Sequence, residues 1–207
     1  MLVFSAQELA YLAVPKTGTT AVELTLRRKA DIIFTKRRKH LPAKKFHKKI
    51  APFLAAEFDI HPERIAVMRD PEEQIRSWFR YRTSAELRGS DRQTEGLSFD
   101  QFVLDVISEN PPAHARIGSQ FNFLTGSGGA VLVHRLFAYE RQPLFRAFLE
   151  ERFGEELSFG QKNVSPMVDA PLSPDVRARL RAARAEEFAL YDRMMDAGGV
   201  LVSKIEA

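Results

Sequence analysis

Val14-Pro15-Lys16-Thr17-Gly18-Thr19-Thr20 is the stretch on which the reading of this chain turns. Ahead of it, Leu9, Tyr11, Leu12 and Val14, with small Ala10 and Ala13 between them, read as a short buried strand. Behind it, residues 21–27 read as a helix, with Leu24 and Leu26 among its apolar positions. A strand feeding a Gly/Thr turn that opens a helix is a common way to hold a phosphate. The first N–H groups of the helix have no internal partner, and the helix dipole favours an anion there. Gly18 allows close backbone approach, Thr17, Thr19 and Thr20 bring hydroxyls, and Lys16 brings a mobile positive charge. The same residues also suit a plain strand–turn–helix corner with an exposed lysine. They do not form a Walker A loop, which places Lys and Ser/Thr after a second Gly; here Lys16 comes two residues before the only Gly of the stretch.

The chain around this loop alternates strand and helix patterns. Residues 31–35 read as a second strand and 64–69 as a third. A helix is expected from Leu41-Pro42-Ala43 to about residue 56, with Pro52 interrupting it or ending it early. Asp70 is the expected N-cap, with Pro71 in the first turn, of a helix over 72–87 that buries Ile75, Trp78 and Phe79 on one face. Ser98 caps a helix over 99–107, and 118–129 reads as a loop. Residues 131–139 form the expected fourth strand and 143–153 a helix; 160–171 is irregular, and Ser173 caps one long helix to about 197. Alternating elements predict a single α/β domain over 1–207, three-layered, with a central mainly parallel sheet flanked by helices.

A second motif lies in Val67-Met68-Arg69-Asp70-Pro71-Glu72-Glu73-Gln74-Ile75-Arg76-Ser77-Trp78. Arg69 ends a strand, so in a parallel sheet it emerges at the carboxyl edge, where ligands bind. Ser77 follows on the next helix. An Arg fork with a neutral hydroxyl suits a phosphate, although Arg69 could equally pair with Asp70 or Glu73 at the helix start.

The two motifs, in this order and spacing, resemble the 5′-phosphosulfate loop and the 3′-phosphate segment of sulfotransferases that use 3′-phosphoadenosine-5′-phosphosulfate (PAPS). Gln120-Phe121-Asn122-Phe123-Leu124 and Phe137-Ala138-Tyr139-Glu140 look like segments of the Golgi-type carbohydrate branch, with Glu140 tying down a loop. His114 stands six residues before Gln120, a loose match to that branch's pattern. The resemblance spans 9–166 and implies a nucleotide-kinase-like, P-loop-type fold with PAPS as donor and PAP as product. It implies that Lys16 neutralises the leaving oxygen, that the amides of Thr17, Gly18, Thr19 and Thr20 hold the 5′-phosphate, and that Arg69 and Ser77 hold the 3′-phosphate. Asn163 and Ser165 sit where the family brings a late loop over the nucleotide; an ordinary Asx turn accounts for them equally. The acceptor it implies is a hydroxyl, on a carbohydrate, in a pocket built from loops such as 83–96.

Composition sets outer bounds. The chain has 207 residues, 44% of them hydrophobic, and no cysteine, so thiolate metal sites and disulfides are excluded. No His/Asp/Glu spacing suggests a metal site. No apolar run approaches a membrane span and no hydrophobic leader precedes the first strand, which sets the expectation of a soluble, cytoplasmic protein. Net charge is +4, yet Arg27 to Lys49 holds eleven Lys/Arg against one acid, Asp31. That run suits a solvated helix face or an electrostatic funnel for a polyanion; no nucleic-acid motif accompanies it.

A transferase also needs a base. His40 follows the second strand, in the region that supplies the base in related sulfotransferases, and a neutral imidazole suits the task. A surface histidine in a basic turn is the alternative reading. His47, Glu23 and Glu57 are the fallback candidates. A nucleotide-dependent kinase and a non-catalytic nucleotide or polyanion binder remain as rival functions.

Overall fold

The apolar run ahead of the loop forms β2 (Leu9–Leu12), every residue of which is buried. A computed structural model describes residues 1–84, 87–160 and 169–205. β2 lies inside a six-stranded open mixed sheet with β1 (Leu2–Phe4), β3 (Ile32–Ile33), β4 (Glu63–Met68), β5 (Arg135–Ala138) and β6 (Val200–Val202), in the order β3-β1-β2-β4-β5-β6. The sheet is not mainly parallel, contrary to the expectation from the alternating elements: only its centre is, where β2 pairs with β4 and β4 with β5. β1 runs antiparallel to both β2 and β3, and β6 antiparallel to β5. Leu12 pairs with Ala66, and Met68 with Ala138. The residues that follow these three strand ends therefore emerge along one edge.

Helices cover both faces, as buried parallel strands require. Along β4 the alternation divides the core. Ala66 and Met68 pack with Leu12, Phe46, Leu54, Leu124 and Met194. Ile65 and Val67 pack with Tyr11, Val22, Leu26, Phe145 and Leu149 on the other face. The first face is covered by α2 (Ala43–Lys45), α3 (Ala51–Phe58), α6 (Gln120–Leu124) and α9 (Ala185–Asp196), the second by α1 (Thr19–Leu26) and α7 (Gln142–Phe153). A third cluster joins α4 (Pro71–Arg82), α5 (Phe99–Val106) and α8 (Pro174–Ala183) through Ile75, Phe79, Phe102 and Leu180. Among the described residues no helix is long and apolar enough to cross a membrane.

Several expectations are corrected. The second predicted strand is only Ile32–Ile33 and joins β1 antiparallel, because Leu2–Phe4, too short to show a period, takes the place beside β2. Pro52 does not end its helix. A π-helical turn over Phe46–Ile50 resets the hydrogen-bond ladder, leaving Pro52 in the first turn of α3, where no N–H is needed. α4 stops at Arg82, five residues early, with Thr83 closing it. The loop expected over 118–129 contains α6, capped by Ser119. The single tail helix is two: Arg184 leaves helical geometry (φ −118°, ψ 29°), and the chain then returns through Gly198 and Gly199 as β6.

The sheet order predicts where truncation hurts. Leu136→Ala, in a fully buried central strand, should lower stability by about 2–5 kcal/mol in urea melts. Val202→Ala, 64% exposed on edge strand β6, should change it by less than about 0.5 kcal/mol.

Candidate functional site

The loop after β2 has an unusual backbone. Lys16 takes the left-handed region (φ 66°), and Gly18 does so again (φ 75°, ψ 16°), with Thr17 at negative φ between them. For a lysine that conformation is strained, and strain of this kind gathers at ligand sites. Alternating hand turns successive N–H groups into one concavity, the arrangement that cradles anions. Ala21 is the first residue after the turn whose N–H finds a backbone acceptor, Gly18 O at 3.0 Å; among the described residues no backbone carbonyl accepts from Lys16, Thr17, Gly18, Thr19 or Thr20. The turn is held from beneath. Thr17 is buried and its hydroxyl donates to Val14 O at 2.9 Å, so it supports the loop and cannot also serve as an outward hydroxyl. Gln74 on α4 donates to Pro15 O at 3.2 Å.

Lys16 is half-buried. Its Nζ lies 4.4 Å from the Tyr81 ring centroid and 5.7 Å from that of Trp78. Burial, reinforced by the nearby Arg69 guanidinium, pushes its pKa down to about 8. Trp78, placed by the helical spacing on the buried face with Ile75 and Phe79, is partly buried: it packs against their cluster and also faces the lysine.

Arg69 comes off the end of β4 beside this loop. Its backbone N–H donates to Gln120 Oε1 (3.0 Å) and its carbonyl accepts from Gln120 Nε2 (2.8 Å), a two-bond clamp by a fully buried side chain. The guanidinium sits 4.7 Å from the Tyr139 ring, and a methyl at Gly18 would lie 3.4 Å from the same ring. Tyr139 therefore spans the loop and Arg69. The nearest carboxylate, Glu73, is 3.6 Å from Arg69 but 2.8 Å from Arg76, which holds it more closely. Asp70 caps α4 by accepting from Glu73 N–H, and Glu140 accepts the Asp70 N–H at 3.0 Å, the loop-tying role expected of it. Ser77 is half-buried and on the same side of α4 as Gln74, Trp78 and Tyr81; among the described residues its hydroxyl has no hydrogen-bond partner.

The base candidates separate cleanly. His40 Nδ1 lies 2.7 Å from Ala13 O, just before the loop. A carbonyl can only accept, so Nδ1 carries the proton and Nε2 keeps its lone pair. Burial holds the His40 pKa below 6.5, against the opposing pull of that carbonyl. His47 instead meets Arg64 Nη1 at 3.0 Å, at the start of β4 and so at the opposite end of the sheet. Glu23 is engaged by Lys39 at 2.6 Å, and Glu57 is exposed near the end of α3. His114 is bound to Asp105 at 2.6 Å. Asn163 and Ser165 lie outside the described residues. Two clefts flank α4: one of about 370 Å³ walled by Trp78, Tyr81, Arg92 and Arg116, and one of about 480 Å³ walled by Glu73, Arg76, Arg80 and Arg177.

The chain matches no known family model and no curated protein. Its site is thus characterised by its own geometry: two cations from two strand ends, one turn whose amides have no backbone acceptor among the described residues, and one imidazole of fixed tautomer. Gln74, Tyr81, Gln120 and Tyr139 complete it. Of these, Gln120 and Tyr139 stood in segments that the sequence singled out, by family resemblance alone; Gln74 and Tyr81 carried no such signal.

The depressed Lys16 pKa is open to measurement. With a limiting amine-acylating reagent at pH 8, Lys16 should label ahead of lysines whose amines are fully solvated, as read by peptide mass mapping. Arg69→Ala should reduce that lead only in part, since burial is the larger cause.

Proposed function

We propose that this chain is a PAPS-dependent sulfotransferase, with the nucleotide-kinase-like sulfotransferase fold, acting on an acceptor hydroxyl of a carbohydrate. The observation that carries the reading is the convergence of Lys16 and Arg69 on a turn whose amides, among the described residues, have no backbone acceptor. Two like charges held this close favour a ligand with more than one anionic group, and a nucleotide with 5′ and 3′ phosphates is such a ligand. The site's donors fit it. The amides of residues 17–20 would take the 5′-phosphate, and Arg69 with the Ser77 hydroxyl would take the 3′-phosphate. PAPS supplies the activated sulfuryl group: its S–O bond to the 5′-phosphate breaks as the acceptor oxygen bonds to sulfur, and PAP departs with the electron pair.

Each residue then has a task. Lys16 stabilises the charge that grows on the leaving phosphate oxygen, an interaction stronger in the transition state than before it. Displacing its ammonium from the Tyr81 face toward a phosphate exchanges a cation–π contact for a stronger charge pair. His40 takes the acceptor proton on Nε2 while its Nδ1–H stays on Ala13 O. The cleft walled by Trp78 and Tyr81, the rings that face Lys16, includes Leu87, Asp91 and Arg92 of the polar loop and would receive the acceptor.

Calorimetry with PAP and 5′-AMP tests the donor assignment. PAP should bind well above 5′-AMP, and Arg69→Ala should weaken PAP by roughly ten- to a hundredfold, the worth of one charge-assisted hydrogen bond. Equal affinity for the two nucleotides in the parent chain would overturn it.

His40 separates an enzyme from a mere binder. Turnover should rise with pH through a midpoint below 6.5, because only the neutral imidazole accepts a proton and burial favours that form. His40→Ala should leave PAP affinity nearly intact while turnover falls by about 10²–10⁴. His47→Ala, at the far end of the sheet, should keep parental turnover.

A further inference from the structure

We propose that the solvent face of the helical segment from Ala43 to Phe58 is a docking surface for an anionic lipid bilayer. The segment packs its other face through Ala43, Phe46 and Leu54 into the core. The π-helical turn at Phe46–Ile50 keeps that buried stripe in register, so the outward side chains also stay on one face. Lys44, Lys45, Lys48 and Lys49 are all exposed there, followed by Pro52, Phe53 and Ala56. Among the described residues none of these four lysines forms an ion pair. Lys36 and Arg38, just upstream, are exposed as well.

The aromatic end of the face decides between ligands. Phe53 is 50% exposed and Phe58 56%, and the two rings pack edge to face with centroids 5.6 Å apart. An exposed phenylalanine pair beside four lysines does not serve a soluble polyanion, which needs charge alone. It does suit a membrane interface, where rings enter the acyl boundary while lysines meet anionic headgroups. Charge complementarity points the same way: from Lys36 to Phe58 the only carboxylate is Glu57, and Asp59 beyond it pairs with His61 at 3.4 Å. Binding of this kind is peripheral. The surface begins four residues after His40 along the chain. The docking itself needs neither donor nor acceptor and stands apart from the sulfuryl-transfer reading.

The test is flotation of the whole chain with vesicles of pure phosphatidylcholine, and with vesicles in which about a third of the lipid is phosphatidylglycerol. The parent should float only with the anionic vesicles, and less as salt rises. Lys44→Ala with Lys48→Ala should weaken partitioning roughly thirtyfold, at the usual worth of a lysine near such a surface. Phe53→Ser with Phe58→Ser should weaken it about tenfold or more, and because both rings are exposed the thermal midpoint should hold. Failure of the parent to float with anionic vesicles at low salt would overturn the proposal. So would a phenylalanine variant that floats as well as the parent, since the surface would then read charge alone, as a soluble polyanion site does.

Discussion

Everything at the candidate site depends on a backbone constraint: the turn from Lys16 to Thr20 alternates in hand, as anion-cradling turns do, and among the described residues no backbone carbonyl accepts from its N–H groups. Holding a lysine in the left-handed region costs about 1–3 kcal/mol, and such a cost persists only where surrounding contacts over-determine the conformation. Here they do. Thr17 ties the turn to Val14, Gln74 ties it to α4, and the Tyr139 ring closes over Gly18. The strand before it is fully buried between β1 and β4, so the turn cannot relax by sliding the strand. A loop so fixed needs little reorganisation when an anion enters, and preorganised amides are the most effective kind.

The parallel centre of the sheet explains why the cations meet there. β2, β4 and β5 point the same way, so Lys16, Arg69 and Tyr139 arrive from three strand ends at one edge. Gln120 then clamps the backbone of Arg69, and the buried Glu187 accepts the Gln120 N–H at 2.9 Å, linking the site to α9. The far ends of the same strands hold a different chemistry, with Glu63 bridging Arg135 and Arg152 and with His47 beside Arg64.

Much of this was legible in the sequence, for reasons that differ by element. The strand before the loop, β4, the Asp70 cap and the Ser98 cap follow from apolar runs and capping chemistry that local sequence dictates. The mixed sheet was not legible. β1 and β6 are three residues each, below the length at which alternation can be read, and they set the antiparallel edges. The break at Arg184 was hidden because the helical stripe of Val176, Leu180, Phe188 and Tyr191 continues in phase across it. At the site, Lys16 and Arg69 were visible by motif. The aromatic faces that receive Lys16 were not, since Trp78 and Tyr81 share a helical arc with core positions and only the tertiary packing reveals which way each turns.

Phosphorus-31 resonances of PAP bound to the chain address the central claim most directly, because the two phosphates report separately. In the parent both should move from their free positions. Arg69→Ala should return the 3′ resonance toward its free value and leave the 5′ resonance perturbed. A variant at Gly18, whose left-handed backbone shapes the amide concavity, should do the reverse. If Arg69→Ala leaves the 3′ resonance where the parent holds it, or if the Gly18 variant leaves the 5′ resonance unmoved, the turn and Arg69 do not hold the two ends of one nucleotide.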